Sequence, residues 1–380
     1  MAAIHPGHAE NNYENLRLCS DQYQTLSVAI PSRASAIIRA GQGPGSKLSG
    51  FRFAVKSSSF IGCEEPTEAV DYQVPFNPRG DGYQSPAGSS SGSAAGLASY
   101  GWLDFTIGSD TTGSGRRLAL VNGLFALRLS EGRLPLDGMV PTFDRFDTQC
   151  IFGRDINRLD DVVQVWFDGS DLAKPKPNAK SHPENIDAES LESYLDEVGH
   201  CSNSVIDADA RYVSTRTFLY DFYHSFDEFR DKYRREFQKE PYANEYTQWR
   251  WDTAKPITEE ENKNAMAQLD AKIRYMMLPV SEVTPNYRGR KTEPPSKQNA
   301  FEALYISPTI EAPEIVIPIA EFLYTSQVCG RKEKLPIAIS VVENPGTDLA
   351  LVCLIRDFLQ GSDKPMRVSI GSSMFDNITS

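Results

Sequence analysis

Short apolar runs, each fenced by glycine, constrain the first half of this chain more than any other feature. Phe51 to Val55, broken by Arg52 and ending on Lys56, is of strand length, as are Trp102 to Ile107 and Leu124 to Leu129. Between them Ser93-Ala94-Ala95-Gly96-Leu97-Ala98-Ser99 is small and apolar, which suits a helix lying close on a sheet despite the cost of a glycine. Glu314 to Ala320 and Leu335 to Val342 read as buried strands, and Asp348 to Leu359 as a helix started by the Pro345-Gly346-Thr347 turn. Strands alternating with helices in this way predict an α/β fold.

The middle differs in character. Residues 170 to 205 carry Lys174-Pro175-Lys176-Pro177 and many acidic side chains, a surface excursion with one short helix near 188 to 198. Phe218, Phe222, Phe226, Phe229, Tyr233 and Phe237 then trace one face of a single long helix. Such a stripe is far more often core than site, with an apolar pocket walled by its ends as the alternative reading. Thr258 with Glu261 forms a capping box for a further helix to about 277, and a Pro-rich linker occupies 279 to 297.

With 380 residues, 40% of them hydrophobic, the chain can bury a large core. A net charge of -12 excludes a surface that tracks phosphates, so nucleic acid is not an expected partner. The six cysteines form no C-x-x-C pair and are expected as free thiols. No stretch reaches the ~18 uninterrupted apolar residues of a spanning helix, and the first residues lack a signal-peptide pattern. A cytoplasmic protein without a membrane span is the expectation, and a homodimer is compatible with it. His5, His8, His182, His200 and His224 stand apart from any paired metal spacing, and no phosphate-binding or dinucleotide fingerprint occurs, so neither a metal nor a cofactor is expected.

Three polar clusters bear on chemistry: Lys56, the run Ser89-Ser90-Ser91, and Ser114 within Gly108-Ser109-Asp110-Thr111-Thr112-Gly113-Ser114-Gly115-Arg116. A serine hydroxyl needs a nearby base to attack at neutral pH, and a lysine relayed through a second serine is one way to supply it. Taken singly, each is weak: a Gly/Ser run is usually a turn or linker, and a strand-ending lysine is usually solvated. Gly113-Ser114-Gly115 is not a nucleophile elbow, because Thr112 stands where the first glycine would be needed.

Together they resemble the amidase signature family, close to its fungal branch. Pro86-Ala87-Gly88-Ser89-Ser90-Ser91-Gly92-Ser93 is similar to the family's Gly-Gly-Ser-Ser-Gly-Gly-Ser, and Gly108 to Arg116 to its Gly-Thr-Asp-x-Gly-Gly-Ser-x-Arg. The likeness continues through Gly138-Met139-Val140-Pro141 and Asp147-Thr148 to Gly153-Arg154, and loosely over 300 to 375. It implies a single domain over 1–380, built on a large mixed central β-sheet covered by helices on both faces, with a variable helical insertion at about 156–298.

The resemblance further implies an amidase that cleaves the C–N bond of a small-molecule carboxamide, its acyl group apolar or aryl, through an acyl-enzyme. Ser114 matches the nucleophile and Lys56 the base, which must be neutral to accept a proton. The bridging cis-serine falls on Ser89 by aligning the motif and on Ser90 by counting the family's spacing back from Ser114. Thr111, Thr112 and Gly113 offer backbone N–H groups to the oxyanion, worth about 3 kcal/mol per donor, and a side chain at 113 would obstruct that approach. Gly88 relieves crowding beside the serines, while Asp110 and Arg116 hold the loop by ion pairing. Thr112, Gly115 and Arg117-Leu118-Ala119 depart from the family pattern. An acyltransferase or esterase with the same triad, and a non-catalytic relative, stay open.

Overall fold

The computed structural model describes residues 13–17, 27–33, 47–56, 74–167, 208–269, 277–279, 284–289 and 303–375. Strands β1 (Tyr13–Arg17) and β2 (Ser27–Pro31) form a separate antiparallel pair. The main sheet is built from β3 (Phe53–Val55), helix α1 (Ser91–Ser99), β4 (Phe105–Asp110), helix α2 (Arg116–Asn122), β5 (Phe125–Arg128) and β6 (Thr148–Gly153), followed by helix α3 (Ile156–Phe167). Helices α4 (Ala208–His224), α5 (Asp227–Phe237), α6 (Glu245–Ala254) and α7 (Glu259–Leu269) come next, then β7 (Met277–Pro279) and the single turn α8 (Ile306–Thr309). The hairpin β8 (Glu314–Thr325) and β9 (Lys332–Val342) and helix α9 (Asp348–Gly361) complete the described chain.

Seven strands lie in the order β3-β4-β6-β5-β8-β9-β7. Among the described strands only β3 with β4 is parallel, so the sheet is mixed and the expected α/β class holds. Every residue of β5 and β6 is buried, which requires cover on both faces. Register shows how it is supplied. A Cβ at Gly115, at the start of α2, would meet Cys150, and one at Gly153 would meet Leu159 of α3. Cys150 and Gly153 point to opposite faces of β6, so α1 and α2 cover one side and α3 with α9 the other. Helix α3 packs Ile156, Leu159, Val162, Val163 and Phe167 into the sheet core.

A second, smaller core joins Phe218, Leu219 and Phe222 of α4 to Trp251 and Ala254 of α6, Ala265 of α7, and Phe143, Phe146 and Tyr305 from the loops of the sheet domain. The aromatic stripe does not run along one helix. Ser225 donates its hydroxyl to the Phe222 carbonyl at 2.8 Å, a local bond that competes with the helical ladder, and the chain breaks before α5. Phe229 and Phe237 are accordingly exposed. The capping box is present, Thr258 N–H bonding Glu261 at 2.9 Å and Glu261 N–H bonding the Thr258 hydroxyl at 3.2 Å. Its helix is described as far as Leu269, and the residues to 276, like the expected helix at 188–198, lie outside the described ones. Among the described residues Cys150, Cys329 and Cys353 are free, and no helix is long and apolar enough to cross a membrane.

Candidate active site

Strand β3 is short and lies at the sheet edge, and Lys56 is its continuation. Its N–H bonds the Ile107 carbonyl at 2.8 Å, extending the parallel ladder by one residue and delivering the side chain over the end of β4. The Lys56 Nζ donates to the Ser89 Oγ at 2.7 Å and to the Ser109 Oγ at 2.7 Å. Burial lowers its pKa to about 8, against the charges of Asp110, Asp147 and Cys150, which act to raise it. A good fraction of this amine is therefore neutral near pH 8 and able to accept a proton.

The serine run divides its duties. Ser89 follows the Gly88–Ser89 peptide, which is cis, and opens into a cavity of about 480 Å³ that also takes in Lys56, Ser109, Thr111, Thr112 and Ser114. Ser90 is buried, donating its hydroxyl to the Ser109 carbonyl at 3.1 Å and accepting the Ser109 N–H at 3.3 Å. Its carbonyl accepts the N–H groups of Ser93 and Ala94, so Ser90 anchors the start of α1 to the end of β4. Of the two bridging candidates, Ser89 meets the lysine and Ser90 is engaged elsewhere. Gly88 is buried immediately before them.

The loop carrying Ser114 is organised by Asp110. Its carboxylate accepts the N–H groups of Gly113 at 2.9 Å, Gly115 at 3.1 Å and Arg116 at 3.0 Å, and two guanidinium bonds from Arg116 at 2.9 and 2.8 Å. Burial acts to raise the Asp110 carboxyl, but the charge and hydrogen bonds of Arg116, with Arg128 beside it, hold it well below the usual carboxylate range. Arg116 also reaches Ser307 at 3.0 Å and Glu314 at 2.5 Å, so a fully buried ion cluster pins the loop to β8. Asp147 ties the same loop to residues 142–143, accepting N–H groups from Thr142 at 2.6 Å and Phe143 at 2.9 Å, and the Thr111 hydroxyl. Burial pushes its carboxyl up, against the pull of those three bonds.

Two expectations change here. The Gly113 N–H is spent on Asp110, so it does not face an oxyanion; Thr111 and Thr112 are the members of that set on the cavity wall. A side chain at Gly113 (φ +117°) would strike Leu304, its Cβ falling 2.6 Å from Cδ1, rather than a substrate. The departure at Gly115 has its own cause, since a Cβ there would lie 2.4 Å from the Cys150 sulfur. Sequence reasoning missed Ser109, the second partner of Lys56. The signal was its place in the Gly108-Ser109-Asp110 motif, where the family pattern has Thr. Across the cavity from β4 the wall includes Trp166, Phe218, Phe222 and Arg250. Among the described residues no group of three or more His, Cys, Asp and Glu could hold a metal ion.

Residues 61–198 match the family model described as Amidase. That match begins after Lys56 and contains Ser89, Ser109 and Ser114. Amidase 1 of Oryza sativa subsp. japonica is 37% identical over 116 residues, 30% of this chain and 26% of the rice protein. Amidase 1 of Arabidopsis thaliana is 41% identical over 111 residues, 29% of this chain and 26% of the relative. The matched stretch thus spans about a quarter of the length of these relatives. A crystal structure of an amidase superposes with a TM-score of 0.57 at 17% identity, covering 86% of this chain and 87% of that one, which shows a shared fold.

Proposed function

We infer, for a chain whose residues 61–198 carry the sequence of the Amidase family, that the cavity hydrolyses the C–N bond of a small-molecule carboxamide. Ser114 attacks the carbonyl carbon as its hydroxyl proton passes to Ser89 while the Ser89 proton passes to neutral Lys56. The resulting oxyanion is held by backbone N–H groups of the Thr111–Thr112 turn. Reversal of the relay protonates the departing amine, breaks the C–N bond and leaves an acyl ester on Ser114. Water then adds to that ester, its proton following the same path, and the carboxylic acid leaves with Ser114 restored.

The single observation that carries this reading is the 2.7 Å bond between Lys56 Nζ and Ser89 Oγ, beside Ser114 in one cavity, with the amine's pKa brought down to about 8. The altered residues Thr112 and Gly115 do not remove any of the three groups. A fluorophosphonate is expected to phosphonylate the protein once, with the adduct mapped by peptide mass spectrometry to Ser114. Ser114→Ala should abolish that adduct; equal labelling of the variant and the parent would overturn the assignment.

A further inference from the structure

Among the described residues, helix α5 is eleven residues long and buries only Arg230. That side chain turns inward over the rings of Tyr223 and Trp251, its guanidinium carbon 3.8 Å and 5.0 Å from their centres. A helix shorter than about 12–15 residues is marginal in water by itself, and helices in proteins gain most of their stability by packing an apolar face. The aromatic face of α5 is left open. Phe229 is 49% and Phe237 50% exposed, and Tyr233 joins them, its ring centre 5.9 Å from that of Phe229 and 4.7 Å from that of Phe237. At 1.5 Å per residue the three rings make a continuous strip about 12 Å long, half of it facing solvent.

Charge decides what can cover that strip. The chain carries -12 overall, yet the four acidic and four basic side chains of α5 cancel, so a second copy can approach this face without net repulsion. A lipid surface would be met by an excess of basic side chains beside the rings, which α5 lacks. With successive residues about 100° apart around the helix, Lys232 and Glu236 border the strip on one flank, one turn from each other. Both are exposed, and neither is ion-paired among the described residues. We propose that α5 is a self-complementary contact between two copies of this chain, laid antiparallel about a two-fold axis at Tyr233. Phe229 then packs on the partner's Phe237, and Tyr233 meets the partner's Tyr233. Lys232 and Glu236 are centred about 1.5 Å along the helix from that axis, so the same register sets Lys232 against the partner's Glu236 and Glu236 against the partner's Lys232. The two-fold makes each of these contacts twice from a single helix.

One short helix per copy makes a contact smaller than the ~800 Å² per partner of a standard interface, so a dissociation constant on the order of 10 µM is expected. Sedimentation velocity of the full chain between about 1 and 300 µM should show monomer passing to dimer. Lys232→Glu and Glu236→Lys each set like charges face to face and should each weaken the dimer at least about tenfold, whereas the double variant should return to within about threefold of the parent. Tyr233→Ser, which empties the axis, should weaken it about thirtyfold or more. Hydrogen exchange of the parent needs no variant: amides at 227–237 should gain protection as concentration rises through the transition. A parent that stays monomeric at about 300 µM overturns the proposal, whether or not its rings carry it to phosphatidylcholine vesicles instead. So does a dimer indifferent to Tyr233→Ser, a double charge variant as weak as either single one, or a dimer that forms with no added protection at 227–237.

Discussion

A lysine amine at the end of an edge strand would ordinarily be solvated and charged; Lys56 differs because two hydroxyls and the cavity wall enclose it. Its folded pKa of about 8 lies below its ordinary 10.5, so the charged form is penalised by folding. That penalty is complete below pH 8, fades as pH rises from 8 to 10.5, and is absent above. Lys56→Met is therefore expected to be inactive yet to melt higher than the parent at pH 7, with the difference closing by pH 10.5 in a series of thermal scans. In the parent, kcat/KM should climb with pH to a midpoint near 8 and then level, because only the neutral amine accepts the proton. Ser109 touches the same nitrogen, and its loss removes an acceptor from the charged form. Ser109→Ala should lower kcat by about tenfold and move that midpoint down, with Ser109→Thr restoring both, a pattern that general destabilisation would not produce.

Elements explain why the serines stand where they do. Helix α1 starts at Ser91 because Ser90 ties its first turn to β4, and α2 starts at Arg116 because Asp110 gathers the N–H groups of the preceding loop. The Asp110–Arg116–Glu314 cluster is buried throughout, so removing its central cation strands two carboxylates. Arg116→Ala is expected to lose about 3–5 kcal/mol by urea denaturation. The double variant Arg116→Met with Glu314→Gln should recover part of that loss. Strands β3, β4, β5, β8 and β9 and helix α1 were legible in the sequence as short apolar runs or small-residue stretches, whereas β6 (Thr148–Gly153), at the centre of the sheet, was noticed only as part of a motif. The break at Ser225 was not, since the aromatic spacing continues across it and only a hydroxyl bonded back to Phe222 marks the interruption. Ser109 escaped notice for a related reason: its partner is fixed by the pairing of β3 with β4, which no local pattern records.

At the scale of the molecule, the segments around β3, α1 and β4 bring Lys56, Ser89, Ser109 and Ser114 to the cavity, while α4 and α6 contribute Phe218, Phe222 and Arg250 to its wall. Phe218 and Phe222 serve both the second core and the cavity wall, so packing and the shape of the cavity share the same side chains. Phe222→Ala is expected to cost about 3 kcal/mol or more of stability and to raise KM, with kcat less affected, because the ring contacts bound substrate and transition state alike. The motifs located the serines, whereas the wall facing them was visible only as an aromatic stripe of undetermined use. Arg250 could not be recognised from sequence, because its position depends on how α6 packs across α4.

The proposed relay depends on the protonation of one amine, and a direct titration decides it. The side chain of Lys56, carbon-13 labelled at Cε and assigned by comparison with Lys56→Met, should titrate by NMR with a midpoint near 8. A midpoint at the ordinary 10.5 would mean an ammonium that cannot take a proton from Ser89, and the relay would have no base.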